Sequence, residues 1–309
     1  MSIMIITQGK DISPWVKALQ ETRPDLNVQV YPDIRDDSDI TFALSWNHPL
    51  GAFQGFPNLK CIASMGAGVD HILKDPDLPE TAVVTRVVDE NLTRDMATFT
   101  LAAALNYMRG LTEYKALQHR HAWERREYKR VGEVTIGMMG LGVLGAHVAK
   151  VFSRAGFRVN GWARSARLLD GVTVYTGQHE LNTFLAQANI LICLLPLTKE
   201  TAGILNKATF ARLPKGAYLI NVARGEHLVE EDLLEAIETG HLAGASLDVF
   251  REEPLPAAHP FWRHPNIDVT PHIASVTHPA SVVGQILENY DRLRKEESLL
   301  HVVSRQRGY

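Results

Sequence analysis

An arginine, a carboxylate and a histidine each follow an apolar run in the last third of the chain. Arg224 lies in "NVARGE" (221–226), Glu253 in "LDVFREEP" (247–254) and His272 in "TPHIASVTH" (270–278). A doubly wound sheet binds its ligands at such strand ends. The three residue types suit proton-coupled hydride transfer to a 2-keto acid. Arg224 can bind the carboxylate and keto oxygen, His272 can act as general acid, and Glu253 can orient the imidazole and stabilise its charged form.

A glycine-rich turn earlier in the chain predicts a dinucleotide site. The stretch "VTIGMMGLGVLGAHVAK" (134–150) carries the G-x-G-x-x-G spacing at Gly140, Gly142 and Gly145, with Val143 and Leu144 inside the turn. The apolar run before it predicts a strand, and the segment after it predicts a helix. In that context the glycines allow a tight turn and bring backbone N–H groups at the helix N-terminus to a pyrophosphate.

The next strand end is cationic where such sites are usually acidic. Arg164, Ser165 and Arg167 stand in "WARSAR" (162–167), with Arg164 about 20 residues beyond the last glycine, where the ribose-reading side chain is expected. A carboxylate there would repel a 2′-phosphate, whereas arginines supply permanent charge and paired donors. The segment therefore predicts a preference for NADPH over NADH.

Two series of strands separated by helices must position these residues. Near-continuous apolar runs joined by helical segments favour buried parallel sheets. We predict an α/β protein with two doubly wound parallel-sheet domains. One is a flavodoxin-like substrate domain (1–97 plus 279–309), and the other is an inserted Rossmann nucleotide-binding domain (98–278). The predicted helices include 13–22, a long one at 95–120, and a terminal one at 279–295 that packs back on the first domain. The predicted strands are 3–8, 28–32, 41–46, 60–65, 82–87, 134–139, 157–163, 190–195, 217–222, 244–249 and 267–270.

Composition and charge exclude several function classes. Across 309 residues the formal net charge is −3, which argues against a general nucleic-acid binder. The sequence has no apolar stretch long enough for a membrane span and no N-terminal secretion signal, so we expect a cytoplasmic protein. Its two cysteines lie in apolar, strand-like runs and are expected to be buried free thiols. No metal site is expected.

The motifs together resemble the D-2-hydroxyacid dehydrogenase family over essentially the whole chain. "GLGVLG" (140–145), "LPLTKETAGILNKATFARLPKGAYLINVARG" (195–225) and "GASLDVFREEPLP" with "TPHIA" correspond to its three characteristic regions. Within the family the chain most resembles the bacterial glyoxylate/hydroxypyruvate reductase A group, through "SWNHPL" (45–50), "MGAGVDHIL" (65–73) and the "QRGY" ending. The resemblance implies reduction of glyoxylate to glycolate and of hydroxypyruvate to D-glycerate, with NADPH preferred and NADH possible.

Further roles are implied only by this resemblance. The backbone around Gly66, Ala67 and Gly68 would bind the substrate carboxylate, and Trp46 would close a small substrate pocket. A homodimer through the nucleotide domain is the family habit, and the predicted long helix is the candidate surface. The remaining implied cofactor contacts are Leu195, Pro196, Val222, Ala223, Asp248 and Ser275.

Other activities within and beyond this family stay open. A phosphoglycerate dehydrogenase is disfavoured because the acidic ribose reader is missing, and a formate dehydrogenase because that group has Gln in place of Glu253. The family also includes nucleotide-sensing corepressors that can retain the three catalytic residue types. The region "VVDENLTRDMATFTL" (87–101) departs from the usual family pattern, which leaves the roles of Arg86 and Arg94 undecided.

Overall fold

The computed structural model describes residues 2–309, and the chain divides into two compact units. Unit 1 comprises residues up to Asn91 together with Val276–Tyr309, and unit 2 comprises Leu92–Ser275. The predicted domain boundaries lie at 97/98 and 278/279. In the structure both changes of unit come a few residues earlier, and the first falls within a helix.

A five-stranded parallel sheet forms the centre of unit 1. Its strand order is β2-β1-β3-β4-β5, which is the flavodoxin-like order. β1 and β3 are buried along nearly their whole length, as the near-continuous apolar runs predict. The elements are β1 (Ser2–Thr7), α1 (Ser13–Thr22), β2 (Val28–Val30), β3 (Ile40–Trp46), β4 (Cys61–Ser64), α2 (Asp70–Leu73) and β5 (Val83–Thr85), with short 3-10 helices at Asp37–Asp39 and Ala52–Gly55.

A seven-stranded parallel sheet forms the centre of unit 2, in the order β12-β11-β10-β9-β6-β7-β8. The order reverses between β6 and β9, which creates the crevice where such sheets bind ligands. Its strands are β6 (Thr135–Met139), β7 (Arg158–Ala163), β8 (Thr173–Thr176), β9 (Ile190–Cys193), β10 (Ala217–Asn221), β11 (Leu242–Leu247) and β12 (Ile267–Val269). Its helices are α3 (Glu90–Arg109), α4 (Leu111–His119), α5 (Val143–Arg154), α6 (Gly177–Leu185), α7 (Lys207–Phe210) and α8 (Glu230–Glu238), with 3-10 turns at Val131–Glu133, Gly225–His227 and Pro260–Arg263.

Alternate residues of the unit 2 strands build two cores. Ile136 and Met138 of β6 pack with Phe152 of α5 on one face. Met139 packs on the other face with Phe184 of α6. The two-residue period of a strand sends these neighbours to opposite sides of the sheet. Both faces of the sheet are therefore covered by helices.

Two predicted elements differ from the structure. The predicted single helix at 95–120 is wrong. The helical segment is interrupted at Gly110, which adopts a left-handed conformation at φ +60° between α3 and α4. The second difference is β8, a half-buried edge strand that pairs only with β7 and that was not predicted. An edge strand with one covered face lacks the continuous apolar run that marked its neighbours.

The last helix, α9 (Pro279–Arg294), packs within unit 1 as predicted. Its Asp291 accepts two hydrogen bonds from the Arg23 guanidinium, at 2.6 and 2.5 Å, which ties it to the end of α1. Tyr290 packs edge-on against Phe42 of β3, with ring centroids 5.9 Å apart. The helix therefore covers one face of the five-stranded sheet.

Both cysteines are closed to solvent inside strands. Cys61 lies in β4 and Cys193 in β9, and each is a free thiol with no exposed surface. Burial raises the pKa of both thiols to about 12. Of the helices between residues 2 and 309, none combines the length and apolar character that crossing a bilayer requires.

Candidate active site

The predicted dinucleotide loop joins β6 to α5 in unit 2. Gly140 has φ +99°, and a Cβ there would lie 2.6 Å from the Leu194 carbonyl oxygen of the neighbouring strand end. A Cβ on Gly145 would lie 2.0 Å from the Gly140 carbonyl oxygen. Both positions therefore require glycine.

The same loop leaves open space where a phosphate could lie. A Cβ built on Gly142 would meet no atom within 4 Å, and Gly142 is the residue from which α5 starts. The first N–H groups of a helix lack partners inside the helix and attract anions. The loop therefore fits a pyrophosphate, and the half-exposed Val143 begins the helix beside it.

The cationic segment follows β7, next to β6 in the sheet. Arg164, Ser165 and Arg167 are all exposed, as a site for a charged phosphate requires. The Arg167 guanidinium donates to the Leu141 carbonyl oxygen and so reaches back to the glycine loop. Hydrogen bonds from Thr198 and its own backbone lower the pKa of Glu200, with a smaller contribution from the Arg164 charge. Arg164 thus lies within electrostatic reach of the segment that follows β9.

The residues predicted beside the cofactor lie in fixed, buried strand ends. Leu195 follows β9, and the next residue, Pro196, accepts a hydrogen bond from Thr201 Oγ1 at 2.7 Å through its carbonyl oxygen. Val222 and Ala223 are buried just after β10. These positions follow β9 and β10, on one side of the point where the strand order reverses between β9 and β6.

His272 and Glu253 form a direct pair in unit 2. His272 Nδ1 lies 2.7 Å from Glu253 Oε2, and Glu253 Oε1 accepts the Phe250 backbone N–H at 2.9 Å. Burial by itself raises the pKa of Glu253, but the hydrogen bonds from His272 and Phe250 and the charges of His272 and Arg224 outweigh it. The net pKa of Glu253 is therefore below its usual value, and the carboxylate is anionic near neutral pH.

The structure brings Arg224 to the same charge cluster. Arg224 directly follows Ala223 at the end of β10, is half-buried, and contributes to the lowered pKa of Glu253. One guanidinium nitrogen donates to the Ala223 carbonyl oxygen at 2.7 Å. The Asn221 amide donates to the Arg224 carbonyl oxygen at 3.0 Å, which fixes the turn. The three predicted catalytic residues thus share one edge of the sheet.

Asp248 has an internal role that the sequence analysis missed. Its buried carboxylate accepts from Thr270 Oγ1 at 2.6 Å, from the Ile273 N–H at 2.9 Å and from the Ala274 N–H at 2.8 Å. It therefore holds the segment that carries His272. Ser275, at the end of that segment, donates to the Leu92 carbonyl oxygen at 2.9 Å. The implied contacts of Asp248 and Ser275 with a cofactor stay predictions.

The predicted substrate residues of unit 1 lie at the ends of β3 and β4. Ser64 Oγ donates to the Gly68 carbonyl oxygen at 2.7 Å and accepts the Gly66 N–H at 3.1 Å, which fixes the Gly66–Ala67–Gly68 turn. A Cβ on Gly66 would lie 2.8 Å from Trp46 Cζ3, so the indole packs directly on that turn. The structure therefore brings Trp46 and the turn together.

Two further groups in unit 1 escaped the sequence analysis. Ser45, His48 and Asp75 form a buried chain, with Ser45 Oγ 3.2 Å from His48 Nδ1 and His48 Nε2 2.9 Å from Asp75 Oδ2. The Lys10 ammonium lies 4.7 Å from the centroid of the Trp46 ring. Position at a parallel strand end could have suggested Lys10, but no local spacing pairs His48 with Asp75.

Arg86, one of the two undecided arginines, follows β5 and is half-buried; burial lowers its pKa. Arg94 is exposed on α3.

Within residues 2–309, no cluster of three or more His, Cys, Asp or Glu side chains has the arrangement of a metal site.

Comparison with known proteins places this arrangement among the dinucleotide-dependent oxidoreductases. Residues 101–274 match the family described as "D-isomer specific 2-hydroxyacid dehydrogenase, NAD binding domain". The chain belongs to the D-isomer specific 2-hydroxyacid dehydrogenase family. This confirms the predicted family, the predicted fold class and the predicted enzyme class.

Individual relatives are similar to this chain over its full length. The chain is 41% identical to a glyoxylate/hydroxypyruvate reductase A of Serratia proteamaculans, with all of both chains covered. A structure of a D-isomer specific 2-hydroxyacid dehydrogenase from Xanthobacter autotrophicus Py2 with NADPH and MES is 39% identical, at a TM-score of 0.94, over 100% of this chain and 99% of that one. The NADPH-dependent glyoxylate/hydroxypyruvate reductase of Sinorhizobium meliloti, with NADP and sulfate, is 36% identical at a TM-score of 0.94 over 100% of both.

Proposed function

We propose that this protein is an NADPH-preferring reductase of small 2-keto acids, which converts glyoxylate to glycolate and hydroxypyruvate to D-glycerate. The observation that carries the proposal is the 2.7 Å pair of His272 Nδ1 and Glu253 Oε2 beside Arg224. The names of the relatives from Serratia proteamaculans and Sinorhizobium meliloti support the same substrates.

The geometry of His272 suits a general acid. Glu253 occupies Nδ1, and Nε2 has no hydrogen-bond partner between residues 2 and 309, so this nitrogen is available to a ligand. NADPH, when bound, supplies the hydride for the carbonyl carbon. His272 delivers a proton to the carbonyl oxygen as negative charge develops there, and Glu253 orients the imidazole through its contact with Nδ1.

Arg224 would orient the substrate. The half-buried Arg224 guanidinium offers paired donors to the carboxylate and keto oxygen, which restricts the carbonyl to one orientation. In unit 1, the backbone N–H groups of Ala67 and Gly68 are the predicted ligands of a substrate carboxylate. Trp46, packed on Gly66, would limit the size of the acid that fits.

The exposed cations after β7 support the preference for NADPH. Arg164 and Arg167 would bind the 2′-phosphate by charge-assisted hydrogen bonds, with Ser165 adding a hydroxyl. Gly140, Gly142 and Gly145, with Val143 and Leu144, would hold the pyrophosphate. Leu195, Pro196, Val222 and Ala223 would line the nicotinamide side, with Asp248 and Ser275 near them.

The proposal also assigns a role to each unit, an oligomeric state and a cellular location. Unit 1 would act as the substrate domain and unit 2 as the NADP-binding domain. We also propose a cytoplasmic homodimer formed through the nucleotide domain, with α3 and α4 at its interface. Size-exclusion chromatography with light scattering tests the dimer.

Steady-state kinetics over a panel of small 2-keto acids, each with NADPH and NADH, tests the activity. We expect the highest kcat/KM with glyoxylate or hydroxypyruvate and NADPH. Higher values for other acids would make the protein another dehydrogenase of this family. Tight nucleotide binding without turnover of any acid would contradict the proposal and favour the corepressor-like alternative.

A further inference from the structure

Lys10 lies at the same edge of the unit 1 sheet as the proposed substrate turn. β1 ends at Thr7, which pairs with Trp46 of β3, and Lys10 follows after a turn at Gly9. β1 and β3 are neighbouring parallel strands, and β4, which leads into the Gly66 turn, is next. Three adjacent strands therefore end in Lys10, Trp46 and the substrate turn.

The side chain of Lys10 lies against aromatic rings. Its ammonium is 4.7 Å from the Trp46 centroid and 5.9 Å from the Trp15 centroid, both within the range of cation–π attraction. Trp46 in turn packs on Gly66 and lies 4.3 Å, centroid to centroid, from His71. The ammonium thus lies beside the same indole ring that packs on the proposed carboxylate turn.

No carboxylate between residues 2 and 309 pairs with this cation, since Lys10 takes part in neither an ion pair nor a hydrogen bond there. The adjacent Asp11 accepts the Ser13 N–H at 2.9 Å, at the start of α1. Burial lowers the pKa of Lys10, as expected of a desolvated cation without a counter-ion. A half-buried lysine in this setting can bind an anion supplied by a ligand.

A second polar atom at this edge also lacks a partner. The hydroxyl oxygen of Thr7 is buried and accepts or donates no hydrogen bond within the described chain. Buried hydroxyl groups are nearly always hydrogen-bonded, either to protein or to a ligand or water. One buried hydroxyl without a partner and one cation without a counter-ion therefore lie at the end of β1, and Thr7 is the register partner of Trp46.

We propose that Lys10 is a specificity residue that binds a polar or anionic group on C3 of the substrate, which extends the substrate range to 2-keto acids with a second carboxylate. This inference rests on the proposed function. Glyoxylate has no C3 and gains nothing from Lys10. Hydroxypyruvate gains a hydrogen bond, and oxaloacetate gains an ion pair.

The test compares substrates that differ only in the C3 group. Pyruvate, hydroxypyruvate and oxaloacetate carry a methyl, a hydroxymethyl and a carboxymethyl group on the carbonyl carbon, and glyoxylate is the reference. For the wild type we expect a higher kcat/KM with oxaloacetate than with pyruvate. In Lys10→Met the ratio of kcat/KM for oxaloacetate to that for glyoxylate should fall by about 10- to 100-fold, the range for a lost charge-assisted hydrogen bond.

Two further variants distinguish a role of Lys10 in binding the substrate from a role in packing against Trp46. Lys10→Arg keeps the cation and should restore most of the ratio. Lys17→Met removes an exposed lysine on α1, paired with Glu21 at 3.8 Å, and should leave the ratio unchanged. Thermal melting of all three variants identifies any that fail to fold. If Lys10 only supports Trp46, Lys10→Met lowers kcat/KM for every acid alike.

The outcomes distinguish this inference from the proposed function. An unchanged ratio in folded Lys10→Met, or wild-type oxaloacetate turnover no better than that of pyruvate, would overturn the role of Lys10 and leave glyoxylate reduction standing. A wild-type protein inactive with glyoxylate and NADPH would overturn the proposed function, and this inference with it.

Discussion

The backbone N–H of His272 donates to the carbonyl oxygen of Asp248 at 2.9 Å, and His272 itself has φ +54°. A non-glycine residue in this left-handed region is uncommon and costs of the order of 1–3 kcal/mol. The Asp248 carboxylate accepts three further hydrogen bonds from the same segment. The orientation of the proposed general acid therefore depends on Asp248.

Replacing Asp248 by Asn should loosen this segment. The substitution puts an amide donor against backbone N–H groups, so we expect the free energy of unfolding to fall by about 1–3 kcal/mol and kcat with glyoxylate to fall with it. Urea unfolding and steady-state kinetics measure the two effects. Asp170→Asn, at an exposed acid of the same unit, is the control. Wild-type stability in Asp248→Asn would contradict this role.

His272→Asn should lower kcat by at least about 100-fold and leave NADPH affinity near that of the wild type, because a general acid acts in the transition state. Stopped-flow kinetics and fluorescence titration of NADPH measure the two quantities. His179→Asn removes an exposed histidine of the same unit and serves as control. A loss of nucleotide affinity equal to the loss of kcat would assign His272 to cofactor binding instead.

Glu253→Gln should change the pH profile. Hydrogen bonds from His272 and Phe250 overcome the effect of burial and lower the pKa of Glu253, so the wild-type carboxylate is charged throughout the neutral range. In the wild type, kcat/KM should decline at acid pH as Glu253 takes up a proton, at a pH below the usual carboxyl range because its pKa is lowered. Glu253→Gln cannot take up that proton and should lack this acid-side decline. A profile of Glu253→Gln that overlays the wild type after scaling would show that the charge has no such role.

Arg164→Asp should discriminate between the two cofactors. The new carboxylate would repel a 2′-phosphate but could accept hydrogen bonds from a 2′-hydroxyl. We expect KM for NADPH to rise about 10- to 100-fold, with a far smaller change for NADH. Arg154→Asp, at the opposite end of α5 from the glycine loop, is the matched charge reversal. Equal effects of Arg164→Asp on both cofactors would contradict the proposed binding of the 2′-phosphate by Arg164.

His48 should make stability depend on pH. Burial lowers the pKa of His48 below its usual value of 6.5, although the hydrogen bond to Asp75 opposes this. As pH falls through that value, the unfolded chain binds a proton that the folded chain resists. The free energy of unfolding then decreases, by up to about 1.4 kcal/mol per pH unit, until the lower folded pKa is reached.

The measurement is urea unfolding at about pH 5 and about pH 8 for the wild type, His48→Gln and the exposed control His119→Gln. His48→Gln should lose part of the difference in stability between the two pH values, and His119→Gln should keep it. The same pH dependence in all three proteins would mean that other groups cause it.

Local signals allowed much of unit 2 to be predicted from the sequence. The glycine spacing, the cationic end of β7 and the three strand ends with Arg224, Glu253 and His272 are each readable within a few residues. Sheet order then brings them to one edge, as parallel topology requires.

What the sequence analysis missed depends on contacts between distant residues or on a single backbone conformation. His48 and Asp75 are 27 residues apart, and only the packed unit 1 joins them. Whether a continuous apolar segment forms one helix or two depended on Gly110 adopting positive φ. In the sequence, Lys10 resembles any lysine of a surface turn. Only the folded structure shows that its ammonium lies against the Trp46 ring.

Because both cysteines are buried, the folded chain should not react with thiol reagents. Maleimides and iodoacetamides react with accessible thiolates, and Cys61 and Cys193 present neither the charge nor the exposure. A cysteine introduced at an exposed position such as Lys17 would therefore be the single site of labelling, without prior removal of the native thiols. A fluorophore or spin label placed there could report on the protein during turnover while both sheet interiors stay unmodified.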